Sequence, residues 1–223
     1  MPLQRTVAPA KLPVTAAFVK AHTRIDTSAD DSYLNNLLIP AAVDLAEMYL
    51  RRSLITQTWV LTLDGFPGPS MLGIPYGVDY IALPGHAIVL EKPPVQQISS
   101  IVYTAYDQSV QTFPLANVVD PTYGGTVRVD GLARITPLYG QVWPPNVAPQ
   151  IGAVRVTYVA GYGGDDTTGV NGEPVPAAIK QWIAMNVATM YENRERCVVG
   201  TRVTVSELPY VDRLMDPYIV PLP

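Results

Sequence analysis

From Leu34 onward, apolar residues recur at three- and four-residue intervals: Leu34, Leu37, Leu38, Ala41, Leu45, Met48 and Tyr49. That spacing predicts an amphipathic helix with those positions as its buried stripe. Arg51 and Arg52 close it at the negative end of its dipole. Ahead of it, Ser28 or Asp30 is placed to cap the first turn by accepting backbone N–H groups, and the remaining acid opposes the positive end of the dipole. Pro40 lies inside the pattern and is expected to kink or divide the helix, because the bond to Asn36 is lost. Before all this, Thr15 caps a short helix through about His22, and residues 1–13, with Pro2, Pro9 and Pro13, read as an extended arm.

The period then changes. Trp59, Leu61 and Leu63 alternate with Thr58, Val60 and Thr62, as on a half-buried strand. Further strands are expected at about 87–91, 98–105, 110–114, 126–130, 133–136 and 153–160, separated by Gly- and Pro-rich punctuation. Helical spacing returns after Pro176, where Ile179, Ile183, Val187 and Met190 form one face, widened by Trp182 and Met185. A last short helix is expected at about 207–216, with Leu208, Val211, Leu214 and Met215 on one side, followed by an extended tail. Helices, strands, helices in that order define an α+β protein. Its N- and C-terminal helices build a small helical bundle, and a β-rich antiparallel insertion separates them. The boundaries are 14–53 for the N-terminal helices, 54–163 for the insertion, 175–196 for the long helix and 207–223 for the tail, within one domain spanning 1–223.

Composition sharpens this picture. Hydrophobic residues make up 48% of the 223 and charged residues only 15%, where about 25% is usual for a soluble domain. So few ions leave surface to be covered by partners, and copies of the same chain would suffice. Fifteen basic and nineteen acidic residues give a net charge of −4, which provides no excess of cations for phosphate binding. The lone Cys197 forms no internal disulfide, and no Asn-x-Ser/Thr sequon occurs; both suit an intracellular origin. The greasiest stretch, Leu37 to Val43, is far too short to span a bilayer.

Candidate chemistry is sparse. His22 and His86 have no motif neighbours, and Cys197 has no adjacent His or second Cys. Asp165 and Asp166 lie in a Gly-rich segment without the spacing of a calcium loop, and no Gly-Lys-Ser/Thr ending makes it a phosphate cradle. No catalytic residue, metal site or cofactor is therefore expected. Thirteen Tyr and three Trp raise a sugar- or peptide-binding face, but their dispersal points to core and subunit contacts.

Read in order, several phrases carry a resemblance: VTAAFVKAHTRID (14–26), YLRRSLITQTWVLTLDGFPG (49–68), KPPVQQISSIVY (92–103), YGQVWPP (139–145), AVRVTYVAGYG (153–163), PAAIKQWIAMNVATMYENRE (176–195) and VVG…ELPYVDRLMDPY (198–218). The series resembles the head–tail connector proteins of tailed phages, also called head-completion or neck adaptor proteins. Segment 66–86 departs from that pattern by its length and Gly/Pro content, and loop 164–174 looks like a small insertion.

The resemblance implies a structural part of the virion neck, made in the host bacterial cytoplasm. Its copies form a ring, dodecameric by analogy, beneath the portal protein. DNA passes through without specific binding, no membrane is involved, and a stopper or tail-terminator protein docks on the ring. It also implies that 207–223 grips the portal, with Leu208, Tyr210, Leu214, Met215, Tyr218 and Ile219 as candidate anchors. Deleting that segment is then expected to leave a folded subunit that no longer attaches. Arg51, Arg52, Arg194 and Arg196, with Glu192 and Glu195, are candidates for subunit–subunit ion pairs. Two other readings stay open: a β-sandwich-like carbohydrate- or receptor-binding module of a tail or baseplate, and an enzyme that no residue constellation recommends.

Overall fold

The computed structural model describes residues 3–67, 87–119, 133–163, 174–194 and 210–220. The expected strand at 126–130, His86, Asp165, Asp166 and Cys197 lie outside them.

Helix α1, Ala16–Thr23, starts as the sequence predicts: the Thr15 hydroxyl accepts the Phe18 N–H, and Arg24 ends the helix in the left-handed conformation. The next helical run differs from expectation in three ways. Its first turn, α2 (Asp31–Tyr33), has no side-chain cap from Asp30. Asp30 is drawn away instead, accepting the Tyr191 hydroxyl at 2.6 Å, while Asp31 pairs with Lys20 at 2.8 Å. The run then widens into a π-helical turn over Leu34–Leu38, in which the Ile39 N–H reaches back to the Leu34 carbonyl. Pro40 follows in the first turn of α3, Ile39–Leu50. The proline thus divides the helix, and the wider turn absorbs its missing N–H.

The third difference is the buried face. One extra residue in the turn shifts everything after it by about 100° of helical phase. Ile39, Ala42, Val43, Ala46 and Leu50 go inside. Leu37, Met48 and Tyr49, expected in the core, are exposed.

All strands of the main sheet are antiparallel, in the order β1-β2-β7-β4-β5. They run over Leu3–Val7, Gln57–Leu63, Val154–Ala160, Val95–Thr104 and Val110–Phe113. The expected extended arm is therefore an edge strand. A second, two-stranded sheet pairs β3 (Ile88–Leu90) with β6 (Ala133–Ile135). Alternation is as read: Leu61 is buried, with Trp59 and Leu63 partly buried beside it. Helix α4, Ala177–Glu192, buries Ile179, Trp182, Ile183, Ala184 and Val187. Short α5, Tyr210–Arg213, and a 3-10 turn over Asp216–Tyr218 follow.

The protein is α+β, with helices from both ends of the chain sharing one apolar cluster and both sheets sharing another. Residues 51–56 join the two. The Ser53 N–H donates to the Pro93 carbonyl, Thr56 N–H to Gly163, and the Leu54 carbonyl accepts from Tyr162.

Candidate interaction surfaces

Among the described residues, no group of three or more metal-ligating side chains comes together. The conspicuous ionisable group is Glu47, on the inner face of α3. Its carboxylate accepts the Leu54 N–H at 2.8 Å and the Gln57 side-chain amide at 2.5 Å. Burial pushes its pKa up, against the opposing pull of those hydrogen bonds and of Lys92 and Arg5. Lys92, lowered chiefly by its own burial, donates to the Glu47 main-chain carbonyl at 3.1 Å. This is a joint, tying the last turns of α3 to the start of β2.

The C-terminal segment folds back on its own subunit. Met215 is fully buried in the helical cluster, and Val220 is 1% exposed. The Arg52 guanidinium donates to the Tyr218 carbonyl at 2.5 Å, Arg51 to the Val220 carbonyl at 3.4 Å, and the Val220 N–H to Leu50 at 3.1 Å. Of the candidate portal anchors, Leu214, Tyr218 and Ile219 are half-buried and Met215 is enclosed. Tyr210 opens α5, and Leu208 lies outside the described residues. A tail holding core residues changes one expectation: deleting 207–223 strips Met215 and Val220 from the core, so the remaining subunit loses stability along with any docking contact.

The candidate interface ions also have definite places. Arg51 is exposed, whereas Arg52 is 2% exposed and spends its Nε on Tyr218. Arg194 lies 3.5 Å from Asp30 and 5.0 Å from the ring centroids of both Tyr33 and Tyr191. Glu192 is exposed; Glu195 and Arg196 lie outside the described residues. The structure therefore brings Arg51 and Arg52 together at the C-terminal segment, and Arg194 to a separate acidic and aromatic cluster.

Sequence reasoning missed the exposed apolar surface. On the helical side, Phe18, Leu37, Met48 and Tyr49 face solvent, with Met48 at 66%. On the sheet side, Tyr106, Val110, Tyr139, Val142 and Ile151 lie in β5 or in loops around it and before β7, and Tyr139 is entirely exposed. The π turn concealed Met48 and Tyr49 of the first set, because periodicity assumes an unbroken 3.6-residue repeat. An aromatic groove beside Asp64 has a volume of about 320 Å³. The Phe66 and Trp143 rings stack at 4.8 Å beside it, and Asp64, the acid among its described lining residues, is already engaged by the Gly152 N–H.

With this geometry in place, comparison with known proteins is informative. Residues 16–107, from α1 into the turn after β4, match the family described as phage gp6-like head-tail connector protein. No curated protein matches the chain. The fold is similar to a chain in the virion of a native gene transfer agent particle. That chain is 18% identical with a TM-score of 0.69, over 100% of this chain and 97% of the other. A chain in the neck of an empty gene transfer agent particle, computed with C6 symmetry, gives the same values. One in the neck of a native particle, computed with C12 symmetry, is 16% identical with a TM-score of 0.59 over the same coverage. The resemblance to head–tail connectors is thus borne out by the family match from α1 to β4, and the likeness along the whole length is one of fold.

Proposed function

We propose that this chain is a structural head–tail connector: a neck adaptor subunit without catalytic chemistry. The observation that carries the reading is the connector-family match over 16–107. Those residues include the exposed apolar face of α3 and its π turn. The whole-length fold likeness to chains from particle necks supports it, and the C12 symmetry of one such neck agrees with a dodecameric ring.

In this reading the helical cluster acts as a small bundle, and copies pack side by side beneath a portal vertex. The ring lengthens the DNA channel and offers its far rim to a stopper or tail-terminator protein. Weakly ionised surface suits such a part: Leu37 and Met48 would be covered by neighbours, and each modest contact is multiplied around a closed ring. The C-terminal segment docks on the portal through its outward side, with Leu214, Tyr218 and Ile219 as the reachable anchors. Arg51 and Glu192, both exposed, are interface ions placed to meet a neighbour. The subunit would be made in the bacterial cytoplasm and come to rest in the virion neck.

Native mass measurement and electron microscopy of the purified chain mixed with portal particles test the proposal. Ring-shaped density at the portal vertex is expected. A chain that stays monomeric and ignores portal particles would refute the reading.

A further inference from the structure

Strand β1 is attached to the molecule in an unusual way. Gln4, Arg5, Thr6 and Val7 are all exposed, and only Leu3 packs against the sheet's apolar cluster. What holds the strand is β2. The ladder sets Leu3 opposite Leu61, Gln4 opposite Val60 and Arg5 opposite Trp59. To this are added Thr6 Oγ1 donating to the Thr58 carbonyl at 3.2 Å and Arg5 donating to the Gln57 side-chain oxygen at 3.4 Å. Main-chain pairing of this kind is indifferent to which copy of the chain supplies the strand.

The connection is equally suggestive. Pro13 and Val14 are buried, and Leu12 packs partly against the helical cluster. Between that anchorage and β1 lie only Ala8, Pro9, Ala10 and Lys11, in no regular structure and mostly exposed. Four residues reach about 13–14 Å when extended, enough to redirect the strand to an adjoining molecule. Short hinges favour such an exchange, which keeps every native contact and adds a link between subunits. The receiving edge also needs a strand, because bare β2 would present unpaired N–H and C=O groups to solvent.

We propose that in the assembled ring β1 of each copy pairs with the β2 edge of its neighbour. The inference rests on the connector reading above. Its consequence reaches the Glu47 joint: Gln57, which donates to Glu47, would take its Arg5 contact from the adjacent subunit. Each copy thereby completes the next one's buried polar cluster. The exchange links the subunits by backbone pairing, independently of how their apolar faces pack.

Cysteines at the facing positions read this directly. Gln4→Cys and Val60→Cys are introduced separately and together, on a Cys197→Ser background. In unassembled protein the double variant closes within one chain, which calibrates the pair. In oxidised rings, an equal mixture of the two single variants is expected to give a covalent species of twice the 24.2 kDa chain, and the double variant a ladder. Rings of full mass whose double variant remains linked only within single chains would overturn the exchange and leave the connector reading intact. If the Cys197→Ser parent forms no rings, the connector reading falls and the exchange with it. Independently of disulfide chemistry, a chain starting at Pro9 is expected to melt cooperatively but lose ring closure. Normal rings from that chain would also overturn the proposal.

Discussion

Glu47 is a carboxylate held in the interior by two hydrogen bonds and two nearby cations. Since burial raises its pKa, the folded chain binds that proton more tightly than the unfolded chain does. Its contribution to stability is complete below the ordinary glutamate pKa of about 4.3 and is lost as pH rises through the raised value. Glu47→Gln keeps an acceptor for Leu54 and Gln57, so its thermal melts are expected to show a flatter pH dependence than the parent. Glu47→Leu orphans both donors, costing about 1–3 kcal/mol for each in denaturant titrations. Gly161 makes a different demand. With φ at +134, an added Cβ would sit 2.5 Å from the Ile55 carbonyl carbon and oxygen, so Gly161→Ala is expected to destabilise by more than about 1 kcal/mol. Neither constraint is visible in composition. Glu47 reads as one more polar position on a helix, and its burial depends on contacts with β2 residues that no local period encodes.

At the level of elements, legibility followed periodicity. The α4 face and the β2 alternation are repeats of one undisturbed period: Ile179, Trp182, Ile183 and Val187 went inside as expected, and Trp59, Leu61 and Leu63 pack on the sheet cluster. The α3 face did not, since one π turn ahead of Pro40 moved Met48 outward and Ala42 inward. The arm before α1 was read as extended but not as a strand, because its pairing partner lies more than fifty residues away and its own side chains carry no burial pattern. The tail misled for a related reason: Pro-rich and apolar, it looked like free docking surface, yet Met215 is a core residue. Met215→Ala is accordingly expected to cost about 2–5 kcal/mol, measured by chemical denaturation, even before any portal is present.

For the molecule as a whole, low charge content led to an expectation of surface left for partners, and the structure exposes apolar residues at particular places. Replacing Leu37 or Met48 with Glu should change monomer stability by no more than about 0.5 kcal/mol, since both are exposed. The same changes are expected to weaken ring formation, read as a shift toward monomer by analytical ultracentrifugation. What the chain could not disclose was which apolar residues stay outside, because that is decided by packing between segments far apart in sequence. The ordered phrases supplied a family resemblance instead.

Arg51, Arg52 and Leu50 hold the main chain of the last described residues, through the Tyr218 and Val220 carbonyls and the Val220 amide. Bonds to the chain's spine are blind to the side chains beside them, and only the inward ones, Met215 and Val220, are constrained by the core. Outward positions such as Asp216 and Pro217 can therefore drift in step with whatever they come to rest against, while the fastening underneath stays unaltered.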